Sequence, residues 1–221
     1  MGRWAALRIW LVRQKKSCRL ISWLWRVIAL LGLVSLAAQA SEDLTTGVTL
    51  FEHGQFAAAQ QFFEAFISQY PTDPAGVYYL GRIAFESKQY DQASTWFEQA
   101  VQLDSGDSDY HRWLGRTYGQ QAQHAGGEAF FLARKVKTHL EKAVELNPDN
   151  IEARFDLMEY YLQAPAFLGG DAAKAKMQAE EITKRNAAAG RKAWQRCRQK
   201  NVSIPGKKAT LPRREHPRTG Q

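Results

Sequence analysis

The stretch "YYLGRIAFESKQYDQASTWFEQAVQLD", Tyr78 to Asp104, reads as two short helices, each with one apolar face, joined by a turn near Lys88-Gln89. Its small and apolar positions recur at a constant offset along the chain. Gly47, Gly81 and Gly115 are spaced by 34 residues, as are Phe56 and Tyr90, Ala59 and Ala93, Phe63 and Phe97, and the turn residues Pro71 and Ser105. A solitary amphipathic hairpin has no reason to place small, aromatic and turn residues at one shared period. Stacked hairpins require it, because each unit can hide its apolar faces only against its neighbours.

The period continues with one adjustment. Ala100 to Ala143 and Ser105 to Pro148 are both 43 residues, which predicts a third unit carrying about nine extra residues between its helices. The stretch "GQQAQHAGGEAFFLARK" (Gly119 to Lys135) must hold them, with Gly126-Gly127 as the expected loop tip. Phe130-Phe131 beside that tip either present an apolar patch to a partner or turn into the core, the commoner fate of two phenylalanines entering a helix. A fourth unit starts at Ile151, with apolar Phe155, Leu157, Met158 and Tyr161 before a break at Pro165 and Gly169-Gly170. Asp73-Pro74 reads as a helix cap followed by proline at the first helical position.

These residues resemble the tetratricopeptide repeat, whose pattern runs W-x-x-L-G-x-x-Y and then A, F, A and P. Leu80-Gly81 with Tyr90, Ala93, Phe97 and Ala100 meet it, as do Leu114-Gly115, Tyr118, Ala143 and Pro148, and "LEKAVELNPDN" (Leu140 to Asn150) is close to the family's second helix and following turn. The chain departs from the pattern at the leading Trp position, held by Asp43, Val77, His111 and Arg154. The resemblance implies an all-α fold, an α-solenoid of three to four helix-turn-helix repeats at about 41–73, 74–107, 108–150 with the insertion, and 151–183. It also implies a concave groove lined by the first helices. Leu44 and Val48, Tyr78 and Arg82, Arg112 and Arg116, and Phe155 and Glu159 would face that groove. Arg82, Arg112 and Arg116 there either receive carboxylates of an extended or helical peptide or are ordinary surface charge, with Arg82 paired to Glu86 one turn away.

Charge is distributed in blocks. The formal +8 conceals +7 over residues 1–40, −10 over 41–183 and +11 over 184–221. An acidic middle segment repels polyanions, so nucleic acid is not expected as a partner of the repeats. The tail, 184–221, gains Pro, Arg and Lys and is expected to stay unfolded beyond a short capping helix around Ala193, Trp194 and Cys197, with an anionic lipid surface among its contacts. At the other end, basic residues from Arg13 to Arg26 precede the apolar run "VIALLGLVSL" (Val27 to Leu36) and the small-x-small triplet Ala38-Gln39-Ala40. That is the pattern of a signal peptide cleaved before Ser41, and it predicts export to a bacterial periplasm or cell envelope. The competing reading is an inner-membrane anchor over residues 20–40.

The sequence offers little for catalysis. His53, His111, His124, His139 and His216 show no metal-ligand spacing, and no phosphate loop, nucleophile elbow or dinucleotide turn occurs. No catalytic residue, metal or cofactor is expected, and Cys18 and Cys197 do not suggest a disulfide framework. The expected activity is therefore that of a non-enzymatic scaffold binding a protein or peptide partner, against the alternative of an anchored accessory subunit of an envelope enzyme or secretion complex.

Overall fold

The computed structural model describes residues 44–200. The expected signal segment, or alternative anchor, at residues 1–40 and the tail beyond residue 200 lie outside the described residues. Within them, regular structure is entirely helical: α1 (44–52), α2 (Phe56–Gln69), α3 (Pro74–Glu86), α4 (Tyr90–Leu103), α5 (Ser108–His124), α6 (Ala129–Leu146), α7 (Ile151–Gln163), α8 (Ala172–Arg185) and α9 (Ala187–Gln199). By packing, the chain separates into two compact units that divide inside α3, between Ile83 and Ala84.

The 34-residue period is visible as repeated backbone geometry. After α1, Gly54 takes a left-handed φ of 71° and Gln55 N–H donates to Leu50 C=O at 2.9 Å. After α3, Lys88 takes φ 60° and Gln89 N–H donates to Ala84 C=O at 2.8 Å. Both are Schellman turns, in which one residue in the left-handed region lets the chain reverse while the last carbonyls of the helix stay paired.

In the first unit, Ala59 and Phe63 of α2 are fully buried. Gly47 in α1 allows this approach, since a Cβ there would lie 2.4 Å from Phe62 Cδ1. Phe63 stacks on Tyr79 with ring centroids 4.9 Å apart, and Phe51 meets the same tyrosine edge-on at 5.6 Å. Each buried phenylalanine of this kind contributes about 2 kcal/mol through removal of apolar surface from water.

In the second unit each helix packs on its sequence neighbour from α4 to α9, and α5 also meets α7, as α7 meets α9. That second pattern is the signature of successive hairpins laid side by side. Ala93, Phe97, Ala100 and Ala143 are fully buried where helices approach most closely, and a Cβ on Gly115 would stand 3.0 Å from Leu140. The contacts themselves recur at 43 residues. Tyr118 donates its hydroxyl to Glu98, and Tyr161 donates to Glu141 at 2.8 Å, each reaching back from a first helix to the preceding second helix.

In the third and fourth units the leading Trp position is filled by polar residues that do a different job. His111 and Arg154 are both buried. His111 Nε2 lies 3.3 Å from Ser105 C=O and Arg154 Nε donates to Pro148 C=O at 2.6 Å, so each binds the turn that precedes its own helix. The caps follow sequence chemistry: Asp73, Asp107, Asn150, Asp171 and Asn186 each accept backbone N–H bonds from the first turn of the next helix.

Three expectations change. The insertion is not a loop: α5 has 17 residues against 13 in α3, and α6 has 18 against 14 in α4, so most of the extra length is one added turn on each helix, joined by a 3-10 turn at Gly126–Glu128. Phe130 and Phe131 do not enter the core and are 42% and 67% exposed. The boundary placed after residue 183 falls inside α8, and α9 follows at once, burying Ala193 and Cys197 with the Cys197 sulfur 4.0 Å from Met158 Sδ.

Candidate functional site

In the first unit Tyr78 and Arg82 stand one turn apart on α3, half-buried. Arg82 Nη1 donates to the Tyr78 hydroxyl at 3.0 Å, and its guanidinium lies 4.9 Å from the centroid of Phe51. Leu44 and Val48 on α1 are half-buried as well.

In the second unit α5 and α7 bring Arg112, Arg116 and Asp156 together. Arg112 Nε donates to Asp156 Oδ2 at 2.8 Å, and Arg116 Nε approaches the same oxygen at 3.9 Å. Both guanidinium groups lie over the Trp113 ring, at 5.3 Å and 4.3 Å, and Arg116 also lies 5.4 Å from the Phe85 centroid. Burial pushes the Asp156 carboxyl upward in pKa, and the two arginines pull it back. Arginines that the sequence assigned to a partner's carboxylate therefore already hold a carboxylate of their own chain. Asp156 lies 44 residues from Arg112, at the repeat position that Trp113 and Tyr79 hold in the earlier units, so periodicity gave no signal for a carboxylate there. Phe155 beside it is half-buried, and Glu159 pairs with Arg196 of α9.

Beside this cluster a cleft of about 660 Å³ opens among α5, α6, α7 and the Ala166–Leu168 turn. Small residues form much of its wall, including Gly115, Gly119 and Ala133, with Val136, Leu140 and Tyr160 adding apolar surface. Arg116, Asp156 and Glu159 also line it, whereas Arg112 and Phe155 do not. The added turn of α5 and α6 supplies Ala122, Gln123, Ala129 and Phe130 to the same cleft. The turn after α7 is held rigidly: Tyr160 donates to Leu168 C=O at 2.6 Å, Gly169 has φ 94°, and a Cβ on Gly170 would lie 1.7 Å from Ala164 C=O. Such a wall, with small residues and a neutralised polar edge, has room and chemistry for an apolar side chain.

A part-buried histidine pair lies between α5 and α6. His111 Nδ1 and His139 Nδ1 are 3.0 Å apart, with the rings stacked 5.2 Å apart and Tyr118 tilted against His139. Ser105 C=O can only accept, so His111 donates from Nε2, and as a neutral ring it receives the His139 Nδ1–H. Among the described residues no group of three or more His, Cys, Asp or Glu could hold a metal ion, and no helix is long and apolar enough to cross a membrane.

Comparison with known proteins agrees with this architecture. Residues 50–117 match the family model of the tetratricopeptide repeat. Superkiller complex protein 3 of Mus musculus is 32% identical over 102 residues, covering 46% of this chain and 6% of its own length. The chain therefore spans only a small fraction of that relative. A thermophilic TPR protein of Thermus thermophilus superposes with a TM-score of 0.60 at 20% identity, over 72% of this chain and 81% of that one. An O-GlcNAc transferase of Thermobaculum terrenum gives 0.57 at 23% identity, over 67% of this chain and 26% of that one. The fold is thus all-α and of the tetratricopeptide-repeat solenoid class. The tetratricopeptide-repeat model itself is matched over residues 50–117.

Proposed function

We propose that this is a non-catalytic adaptor, exported to the periplasm or cell envelope, that binds a protein or peptide partner through the cleft among α5, α6 and α7. The cleft carries the reading. Its wall combines small residues from the first helix of one repeat with Asp156, Glu159 and Tyr160 from the first helix of the next, an arrangement that admits a partner's apolar side chain and offers polar atoms beside it. Arg112 and Arg116, being engaged with Asp156, contribute rim contacts and stacked faces, and Tyr78 with Arg82 remain candidate contacts in the first unit. Export rests on the basic, apolar and small-residue succession from Arg13 to Ala40.

The experiment is to fill the cleft without disturbing the fold. Gly119 sits in mid-helix, and a Cβ there would meet only Val136 Cγ2, at 3.9 Å. Leucine at this position occupies cleft space and improves helix propensity by up to about 1 kcal/mol. For Gly119→Leu the expectation is an unchanged or higher Tm together with at least tenfold weaker binding of the partner that co-purifies with the wild type. Undiminished binding by the folded variant overturns the reading. Reversing the charge of Arg112 is a poorer test, because it would leave Asp156 facing like charge in a largely buried site.

A further inference from the structure

Five large apolar side chains are exposed among the described residues, and three of them, Phe130, Phe131 and Phe167, occur together. Phe167 is 78% exposed. Phe130 and Phe167 line the same two clefts, and the Phe131 ring lies 5.6 Å from Phe130. Phe131 itself lines neither cleft, so it forms no wall of a groove that a partner segment could fill. Clustered rings left this open to water mark a contact surface.

Cations stand directly behind the rings. Phe131, Arg134 and Lys135 share one face of α6 at spacings of three and four residues, and none of the three is buried. Phe130, Arg134 and Lys137 form the adjoining stripe, and Arg134, Lys137, Phe130 and Phe167 line one cleft of about 490 Å³. Lys137 reaches the turn that carries Phe167, since a Cβ on Gly169 would lie 3.0 Å from its Nζ. The acidic groups nearest in sequence are Glu128, in the 3-10 turn, and Glu141, which lies 3.9 Å from Lys137. Lys135 rests over the Tyr118 ring with its ammonium 4.6 Å from the centroid.

We propose that this tip, Phe130, Phe131 and Phe167 backed by Arg134, Lys135 and Lys137, is a contact site for an anionic lipid bilayer. Aromatic rings outermost with cations about one turn behind is the order that an interface of this kind selects. The rings enter the boundary between headgroups and acyl chains, and the long basic side chains extend to the phosphates. The added turn on α5 and α6, about 6 Å of helix, brings the ring-bearing end of α6 with it. Phe130 and Phe167 also line the partner cleft, but Phe131 and Arg134 lie outside it, so variants at those two positions test the tip without filling or opening that cleft.

The test measures partitioning of the full chain onto vesicles of phosphatidylcholine with about 30% phosphatidylglycerol, and onto phosphatidylcholine alone, in ~0.1 M salt, where surface charge is only partly screened. The variant Phe131→Ser/Arg134→Glu keeps every other basic residue, so the difference from wild type reads this tip alone. Its partition coefficient onto the anionic vesicles should fall about tenfold or more. Separately, Phe131→Trp should show a blue-shifted emission component with those vesicles that is absent with the neutral ones. Equal partitioning of variant and wild type, or a Phe131→Trp spectrum indifferent to anionic vesicles, overturns the proposal. So does concentration-dependent self-association, without lipid, that the double variant abolishes, since the tip would then bind a second copy.

Discussion

Lys88 holds, at φ 60°, the backbone position that Gly54 fills 34 residues earlier. A side chain in the left-handed region costs about 1 kcal/mol, so Lys88→Gly is expected to leave stability unchanged or to raise it by up to that amount, despite the greater freedom of glycine in the unfolded chain. Urea midpoints of the two proteins check this. The buried His111–His139 pair makes the opposite kind of statement. Desolvation, reinforced by His111 and Lys135, lowers His139 from 6.5 to about 4, and desolvation lowers His111 too. Tyr118, Glu98, Lys135, Lys142 and Asp107 are the neighbouring titratable groups. Because folding lowers the pKa, the unfolded chain takes up the proton first as the pH falls. The stability present above pH 6.5 is therefore lost progressively on the way down to about pH 4. Replacing His139 with Gln should flatten the denaturation midpoint over that window, and an unchanged slope would remove this pair as its source. Neither histidine was identifiable as a pair from the sequence. Their contact joins residues 28 apart across an insertion that shifts the period.

At the scale of elements, α9 illustrates how far a hairpin's local chemistry was legible. Asn186 ends α8 through its N–H to Ile182 C=O and starts α9 by accepting from Ala188 and Ala189 N–H. One residue thus closes one helix and opens the next. Asn186→Ala should destabilise α9 by about 1 kcal/mol, and its local signature is faster alkylation of Cys197, whose thiol is buried and raised in pKa by that burial. Site-resolved mass spectrometry reads it. The small and aromatic positions of the other hairpins were readable because close helix packing leaves few residue types that fit, whereas of the caps only Asp73 was read. The insertion was readable in position but not in form. Residues between Gly119 and Ala125 carry no proline to stop a helix, so α5 runs on to His124 and only Gly126–Glu128 turns. The outward rings of Phe130 and Phe131 follow from that added turn, which a rule about phenylalanines in helices could not anticipate.

For the whole molecule, the 34-residue period identified the repeat architecture, because equal surroundings impose equal residues. The candidate binding residues were less accessible, since the proposed site depends on contacts between repeats that no period encodes. Arg112 and Arg116 were visible as a basic pair on one helical face, but Asp156 becomes their partner only when α7 packs against α5. The cleft likewise exists only because the lengthened α5 and α6 meet α7 and the Ala166–Leu168 turn. Its small residues, Gly119 among them, resemble ordinary helix packing in sequence and become a recess only in the assembled fold. The most direct measurement is the dissociation constant of the co-purifying partner for the wild type and for folded Gly119→Leu. The account predicts a Kd raised at least tenfold by the leucine with no loss of Tm; an identical Kd for the two proteins would contradict it.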